Sequence, residues 1–296
     1  MSGPRRVLNR ESMYAYMLLT PAFVLLSLFA FIPTVHTVWS SLFSKGTVRR
    51  PSQFVGLDNY SSIMADPAFW VIAKNNLVYA AITIPVSMAL ALLMALWANQ
   101  AMRMRGWVRC AYFTPTMLPM IAAANLWLFF YTPDLGLLDQ ILGLFGVSPT
   151  NWLGQPQTAL GAVIVVTIWK EAGFFMIFYL AALQTVSPEL RDAARLEGAS
   201  RWQYGRRVLL PILAPTTLFV LINALINSVK LIDHLFILTK GGPNNASKLM
   251  LYWIWENAFA YMDTPSAAVL TVMLLAVLAA IAVFQFSYAE KRVHYQ

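Results

Sequence analysis

The chain alternates long uncharged stretches with short charged segments. Six stretches are almost free of ionisable side chains, and they cover residues 12–44, 75–102, 110–133, 158–183, 208–229 and 264–289. Each is longer than the roughly 20 residues that cross about 30 Å of hydrocarbon as a helix. A charge at the centre of such a helix costs at least about 2.5–3.5 kcal/mol, so its absence is informative. The pattern predicts an all-α membrane protein with six transmembrane helices.

Composition excludes two classes of protein. Hydrophobic residues make up 59% of the chain and charged residues 11%, against roughly 25% charged in a soluble domain. A soluble fold is therefore excluded, and the high hydrophobicity also excludes a disordered chain. The net charge is +8, and in so apolar a chain we expect basic loops beside anionic lipid, with no nucleic-acid partner. With Cys110 as the one cysteine, neither an internal disulfide nor a metal site is predicted.

The loop charges predict the orientation of the chain in the membrane. Thirteen Lys and Arg residues lie on the side that holds both termini and the second and fourth loops, and six lie on the other side. Because the cytoplasmic side carries the excess of basic residues, both termini are predicted to be cytoplasmic. The chain then divides into a cytoplasmic tail (1–12), a first transmembrane helix with its external loop (13–74), a core transmembrane domain (75–289) and a second cytoplasmic tail (290–296).

The loop of residues 184–207, between the fourth and fifth spans, contains strong helix-boundary signals. Ser187 followed by Pro188 is typical of a helix start. Gly198 suits the left-handed residue that ends a helix. These signals predict a short helix at 188–197 on the membrane surface.

A second helix is predicted directly after this short one. Ser200 and Gln203 have the spacing of a capping box, and the helix they begin runs on into the fifth span. Pro211, near its start, is expected to kink it. Sharp turns on both sides would hold the short helix rigidly.

The loop resembles the cytoplasmic "EAA" loop of the permease subunits of bacterial ABC importers. The resemblance rests on Asp192-Ala193-Ala194, on Gly198 after three residues, and on Val208-x-Leu210-Pro211 after nine more. Asp192 stands where the family usually has Glu, and Val208 where it usually has Ile. Other segments resemble the carbohydrate and glycerol-3-phosphate branch of these permeases, namely SQFVGLDNY, Trp169-Lys170, LTKGGPNNAS and the tail FQFSYAEKRVHYQ.

This resemblance implies a type I ABC importer fold with a coupling helix at 188–197, which docks into a cleft on a cytoplasmic ATPase subunit. The implied coupling residues are Leu190, Arg191, Asp192, Ala193, Ala194, Leu196 and Gly198. The small alanines would let the two backbones approach closely, and Arg191 and Asp192 would pair with charges on the partner. The alternative is an amphipathic helix that only rests on lipid headgroups.

The chain has no motif for nucleotide chemistry of its own. It contains no G-x-x-x-x-G-K-[ST] phosphate loop, so we assign ATP and Mg²⁺ to the partner ATPase and no cofactor to this chain. It also contains no G-x-S-x-G elbow and no H-E-x-x-H helix. We therefore predict a subunit without a catalytic residue or a metal ligand.

Polar side chains inside the predicted spans are candidate substrate contacts, since such groups usually face a bundle interior or a watery path. In the fifth span, Asn223, Asn227, Lys230 and His234 are spaced at i, i+4, i+7 and i+11 and are expected on one helical face. Asp233, three residues beyond Lys230, is a candidate to neutralise it.

The fourth span contributes Lys170 and Glu171, whose side chains diverge by about 100° and therefore need partners on other helices. The predicted substrate path consists of Asn125, Lys170, Asn223, Asn227 and Lys230. The same side chains would equally serve as hydrogen bonds between helices or to a second permease subunit, and the sequence leaves both interpretations open.

The resulting prediction is a permease subunit that forms half of the path for a sugar or a glycerol-phosphate-like solute. The expected partners are ATPase subunits, a second homologous permease, a periplasmic or lipid-anchored solute-binding protein, and membrane lipid. The main alternative is a self-sufficient secondary transporter or channel driven by an ion gradient, which predicts an inverted repeat with broken spans in matching positions. A membrane-embedded enzyme is a further alternative, but it needs a cluster of acidic or histidine side chains that the sequence lacks.

Overall fold

The computed structural model describes residues 10–46, 51–100, 105–285 and 287. The predicted C-terminal tail (290–296) and most of the N-terminal tail lie outside these residues, so their cytoplasmic location stays a prediction. Within the described residues the helices are α1 (Arg10–Leu26), α2 (Ile32–Ser40), α3 (Asp58–Ala65), α4 (Pro67–Ala98), α5 (Arg105–Met117), α6 (Met120–Phe130), α7 (Leu137–Gly143), α8 (Ala159–Thr185), α9 (Pro188–Leu196), α10 (Arg201–Tyr204), α11 (Leu210–Ile212), α12 (Ala214–Lys230), α13 (Asp233–Leu238), α14 (Met250–Trp255) and α15 (Thr264–Phe284). Within the described residues, π-helical turns join neighbouring helices at Ser27–Phe31, Gly205–Leu209 and Glu256–Ala260.

Among the residues that the structure describes, five helical segments are long and apolar enough to cross a membrane. They are Met13–Ser40, Pro67–Ala98, Ala159–Thr185, Ala214–Leu238 and Thr264–Phe284. The remaining predicted span, 110–133, is the pair α5 and α6, which meet at an angle of 102°. Counted as one broken span, this pair completes the six predicted crossings, so the helical fold class is confirmed and the third span differs from a straight helix.

Two prolines explain why the third span breaks. Pro119, the N-cap of α6, has no N–H, so the carbonyl of Pro115 loses the donor that a continuing helix would supply. Leu118 precedes a proline and is therefore disfavoured in helical conformation. The break leaves backbone carbonyls near the membrane interior that need another donor.

The described residues form two compact units. The smaller contains the residues up to Ile63 together with Ile254–Ala276. Its first span, Met13–Ser40, has no buried residue in its most apolar window. The loop after this span is ordered, because the Asn59 amide donates to the carbonyls of Ser41 and Phe43 at 2.9 and 2.8 Å.

The larger unit, Met64–Trp253 with the residues from Val277 onward, is built around the pair α4 and α8. The buried side chains of α4 recur every four residues, at Asn75, Tyr79, Thr83, Ser87, Ala91 and Ala95. This spacing gives one stripe along the helix, and its C-terminal half consists of small residues that allow close helix packing in a membrane. Phe175, Met176 and Tyr179 of α8 pack in the same core as Ala91 and Ala95.

Candidate functional site

The short helix α9 begins where the sequence predicts. Ser187 is its N-cap, with the hydroxyl accepting a hydrogen bond from the Glu189 N–H at 3.2 Å, and Pro188 is its first residue. Val186, between α8 and this cap, has extended backbone. The long helix α8 therefore passes into α9 through a connection of two residues.

The end of α9 is a Schellman motif, which fixes the direction of the chain that leaves it. Gly198 has a φ of +76°. Its N–H donates to the Arg195 carbonyl at 3.0 Å, and the N–H of Ala199 donates to the Ala194 carbonyl at 2.9 Å. These two hydrogen bonds satisfy carbonyls that a frayed helix end would leave unpaired.

The second helix starts only two residues after the glycine. Ser200 and Gln203 form the predicted capping box, with Ser200 N–H donating to Gln203 Oε1 at 2.8 Å and Gln203 N–H to Ser200 Oγ at 3.2 Å. The helix then continues through a π-helical turn at Gly205–Leu209, just before Pro211. The predicted short helix and its boundary signals at Ser187, Gly198, Ser200 and Gln203 are thus confirmed.

All residues of α9 except Ala194 are exposed. None of its residues is buried, and Leu196 and Leu190 are 91% and 45% exposed. Asp192 lies 3.8 Å from Arg195 on the same helix, an exposed pair that contributes little to stability and leaves both charges accessible. Arg191 and Ala193 are also exposed, while Ala194 is half-buried. An exposed helix with unburied leucines is typical of a docking surface.

Within the membrane, Lys170 donates to the broken span. Its ammonium group hydrogen bonds to the carbonyl of Pro115 at 3.2 Å and, at short range, to that of Leu118. It therefore replaces the amide donor that Pro119 lacks. One turn further along α8, Gly173 allows α8 and α5 to approach closely, because a Cβ there would lie 2.4 Å from the Tyr112 carbonyl oxygen.

Glu171, the neighbour of Lys170, contacts a different helix, α12. It is buried, and its carboxylate accepts a hydrogen bond from the Asn227 amide at 2.7 Å. The expectation that these two adjacent charges find partners on different helices is confirmed. A cavity of about 130 Å³ lies at this junction, lined by Thr116, Lys170, Glu171, Phe174 and Asn227.

The structure does not bring the other predicted path residues into this cavity. Asn125 and Asn223 donate to carbonyls one turn earlier on their own helices, those of Ile121 and Phe219. Lys230 is exposed at the last residue of α12, and no ion pair within 4 Å joins it to Asp233 in the described part of the chain.

The prediction that His234 shares a helical face with the asparagines is wrong. The helix breaks at Leu231 and Ile232, so His234 belongs to α13. Its side chain is fully buried, with Nε2 in a hydrogen bond with Thr167 Oγ1 at 3.2 Å. Thr167 in turn hydrogen bonds to the hydroxyl of Tyr79 at 2.8 Å, so His234 is part of a packed core.

The loop after α13 is held tightly to α4. The Asn75 amide donates to the carbonyls of Asn245 and Lys248 at 2.8 and 3.1 Å. Ser247, fully buried, donates to Thr239 Oγ1 at 2.8 Å. The segment LTKGGPNNAS is therefore an ordered surface.

Sequence reasoning missed Thr116 as a lining residue, and it did not foresee the role of Pro115. A signal was present, because two prolines four residues apart in an apolar span remove adjacent helix hydrogen bonds. Such a pair predicts a donor from a neighbouring helix, and Lys170 is a charged donor inside a span.

Known proteins share this sequence and fold. Residues 87–295 match the family described as binding-protein-dependent transport system inner membrane component. The chain is 31% identical over 281 residues to the sn-glycerol-3-phosphate transport system permease protein UgpA of Agrobacterium fabrum, covering 95% of this chain and 96% of that protein. It is also 31% identical over 268 residues to the trehalose/maltose transport system permease protein MalF of Thermococcus litoralis, covering 90% and 91% of the two chains.

The fold likewise matches a solved structure. A chain of a bacterial alginate ABC transporter, crystallised in complex with an alginate pentasaccharide-bound periplasmic protein, superposes with a TM-score of 0.83. The match covers 95% of this chain and 96% of the other at 22% identity. At that identity the match establishes a shared fold.

Proposed function

The chain belongs to the family of binding-protein-dependent transport system inner membrane components, and we propose that it forms half of the path for a sugar or a glycerol-phosphate-like solute. It is a permease subunit of an ABC importer and a multi-pass protein of the inner membrane. The proposed solute class is supported by relatives whose names specify glycerol-3-phosphate and trehalose or maltose.

The observation that supports the proposed mechanism is the geometry of α9. A Schellman motif and a capping box fix its exit, and a two-residue connection fixes its entry from α8. Force applied to a helix held in this way is transmitted to α8 and α12 and is not absorbed by a flexible loop. ATP hydrolysis with Mg²⁺ on a separate subunit would thus move the bundle as a two-state element.

The proposed coupling surface consists of the exposed residues of α9 and its cap. Leu190 and Leu196 supply apolar area, and Ala193 and Ala194 permit close approach of a partner backbone. Arg191 and Asp192 supply charges for pairing. The glycine at 198 fixes the angle at which this surface is presented.

For the solute path we propose the cavity at the α5, α8 and α12 junction. Asn227, Glu171 and Thr116 offer amide, carboxylate and hydroxyl groups suited to solute hydroxyls, and Phe174 offers a ring face. Lys170 is engaged by carbonyls, which suits a positioning role. Asn125, Asn223 and Lys230 stay proposed path residues. This chain would supply only half of the path, and a second permease would enclose the rest.

Two further partners are proposed. A second permease would cover the apolar first span, Met13–Ser40, whose most apolar window has no buried residue within this chain. A solute-binding protein would dock on the ordered outer loop that Asn75 holds, since a rigid surface binds with little loss of conformational freedom. The solved complex of a similar fold with a periplasmic protein supports this second proposal.

Affinity purification of the tagged chain from its native membrane tests the proposal. We expect an ATPase subunit and a second permease to copurify in fixed ratio, and the reconstituted complex to hydrolyse ATP faster with solute-loaded binding protein. The chain purified alone should transport nothing. Gradient-driven transport by the chain alone would instead support the secondary transporter.

A second experiment tests the path. Asn227→Leu should reduce solute-stimulated transport strongly while the complex still assembles, and Asn227→Gln should retain part of it. Full transport by Asn227→Leu would remove this cavity from the path.

A further inference from the structure

A basic groove opens on the segment that follows the coupling turn. It has a volume of about 410 Å³ and is lined by Trp202, Gln203, Arg206 and Arg207. All four side chains are exposed, and Trp202 is 74% exposed. None of these residues belongs to the proposed coupling surface on α9.

Arg206 and Arg207 line the same groove, although they are adjacent in sequence. Trp202 and Arg206 are four residues apart, as are Gln203 and Arg207, so each pair lies on one side of the helix. The turn from Gly205 to Leu209 is π-helical. Such turns are rare and occur frequently at functional sites.

The two guanidinium groups have no counter-charge among the described residues, since neither Arg206 nor Arg207 has a carboxylate oxygen within 4 Å there. The sequence has no Asp or Glu at all from 199 to 232. Two adjacent arginines without a counter-charge favour an anion, and the planar guanidinium fork suits phosphate oxygens.

The groove lies at the predicted edge of the bilayer. The charge-free run of the fifth span begins at Val208, immediately after Arg207, and the spanning segment Ala214–Leu238 follows. An exposed tryptophan at the end of a span is typical of the headgroup level. The positive-inside count predicts that this end faces the cytoplasm, where anionic lipids are attracted to basic residues.

We propose that this groove binds the phosphate of an anionic phospholipid in the cytoplasmic leaflet. Arg206 and Arg207 contact the phosphate, and Trp202 lies against the glycerol and the first acyl carbons. An acidic surface of the ATPase subunit would also attract the arginines, but the apolar run beginning at Val208 and the exposed indole favour lipid. The bound lipid would anchor the start of the fifth span next to the coupling turn.

The test uses the intact complex in detergent, titrated with short-chain phosphatidylglycerol and followed by native mass spectrometry. The double variant Arg206→Gln/Arg207→Gln should bind phosphatidylglycerol about 25-fold more weakly, since each basic side chain near the surface contributes about fivefold. Arg201→Gln removes an exposed charge from the same segment outside the groove and should stay within twofold of the wild type. Phosphatidylcholine should bind equally to all three proteins.

A charge-preserving variant guards against a failure to fold. Arg206→Lys/Arg207→Lys keeps both charges but loses the bidentate fork, so its affinity should lie between those of the wild type and the glutamine variant. Unchanged phosphatidylglycerol binding by the glutamine variant would overturn the proposal. So would loss of the ATPase subunit with unchanged lipid affinity, which would identify the groove as an ATPase contact. Displacement of the lipid by an equal concentration of inorganic phosphate would identify a free-phosphate site instead.

Discussion

Lys170 gives the sharpest stability prediction of the structure, because it donates to two carbonyls that the broken third span exposes. Replacing it by methionine keeps an unbranched apolar stem, one atom shorter, but removes both hydrogen bonds, to Pro115 and Leu118. Because Pro119 has no N–H, the backbone offers no amide at that position to replace the lost donor for the Pro115 carbonyl.

The magnitude follows from the number of bonds. Interhelical hydrogen bonds in a bilayer contribute about 0.6 kcal/mol on average and about 1.7 kcal/mol at most. Losing two of them should lower the free energy of unfolding of Lys170→Met by about 1–3 kcal/mol. Lys170→Arg retains donors and should lose less.

A double-mutant cycle with Pro119→Ala isolates the cause. An amide at position 119 can extend α5 and satisfy the Pro115 carbonyl. In the Pro119→Ala protein, Lys170→Met should therefore lower the free energy of unfolding by less than it does in the wild type. The assay is equilibrium unfolding of the purified permease in mixed detergent micelles. Lys74→Met, which removes an exposed lysine from α4, is the control and should change stability by less than about 0.5 kcal/mol. A Lys170→Met protein as stable as the control would refute the reasoning.

Three further predictions concern backbone geometry and packing. Nothing lies within 4 Å of a Cβ built on Gly198, so only the positive φ penalises a substitution there. With Gly, Asn, Ala and Val at position 198, solute-stimulated ATP hydrolysis should fall in that order. Equal activities would contradict this. Gly173→Ala should lower the unfolding free energy by about 2 kcal/mol or more because its Cβ meets the Tyr112 carbonyl, whereas Gly161→Ala on the same helix has open space and should be neutral. Asn75→Leu should release the outer loop and increase proteolysis near residue 245, while Asn76→Leu, whose amide donates within its own helix, should not.

Much of the coupling loop could be predicted from the sequence because its signals are local. Ser187-Pro188, Gly198 and the pair Ser200 and Gln203 each act within one helix turn, and the structure forms the corresponding caps. The spans were predictable for a similar reason, since a charge inside hydrocarbon is costly wherever it occurs in a chain.

Contacts between distant residues could not be predicted in this way. Glu171 and Asn227 are 56 residues apart, and no periodicity specifies that they meet. The charge on Lys74 predicts that the second span starts at residue 75. The helix begins instead at Pro67, with Asp66 as its N-cap and Lys74 exposed. Helical spacing also misplaced His234, because it assumes that a helix continues through Leu231 and Ile232.

The central claim is that α9 receives its motion from an ATPase on another subunit, and site-specific crosslinking tests it most directly. Cys110 is exposed, so the experiment starts from Cys110→Ser and adds Ala193→Cys on α9, or Ser148→Cys on an external loop as control. In the assembled complex we predict a crosslink from position 193 to the ATPase subunit that stops solute-stimulated hydrolysis until it is reduced, and none from position 148. Free labelling of position 193 by a water-soluble maleimide in the intact complex, with hydrolysis unaffected, would contradict the account.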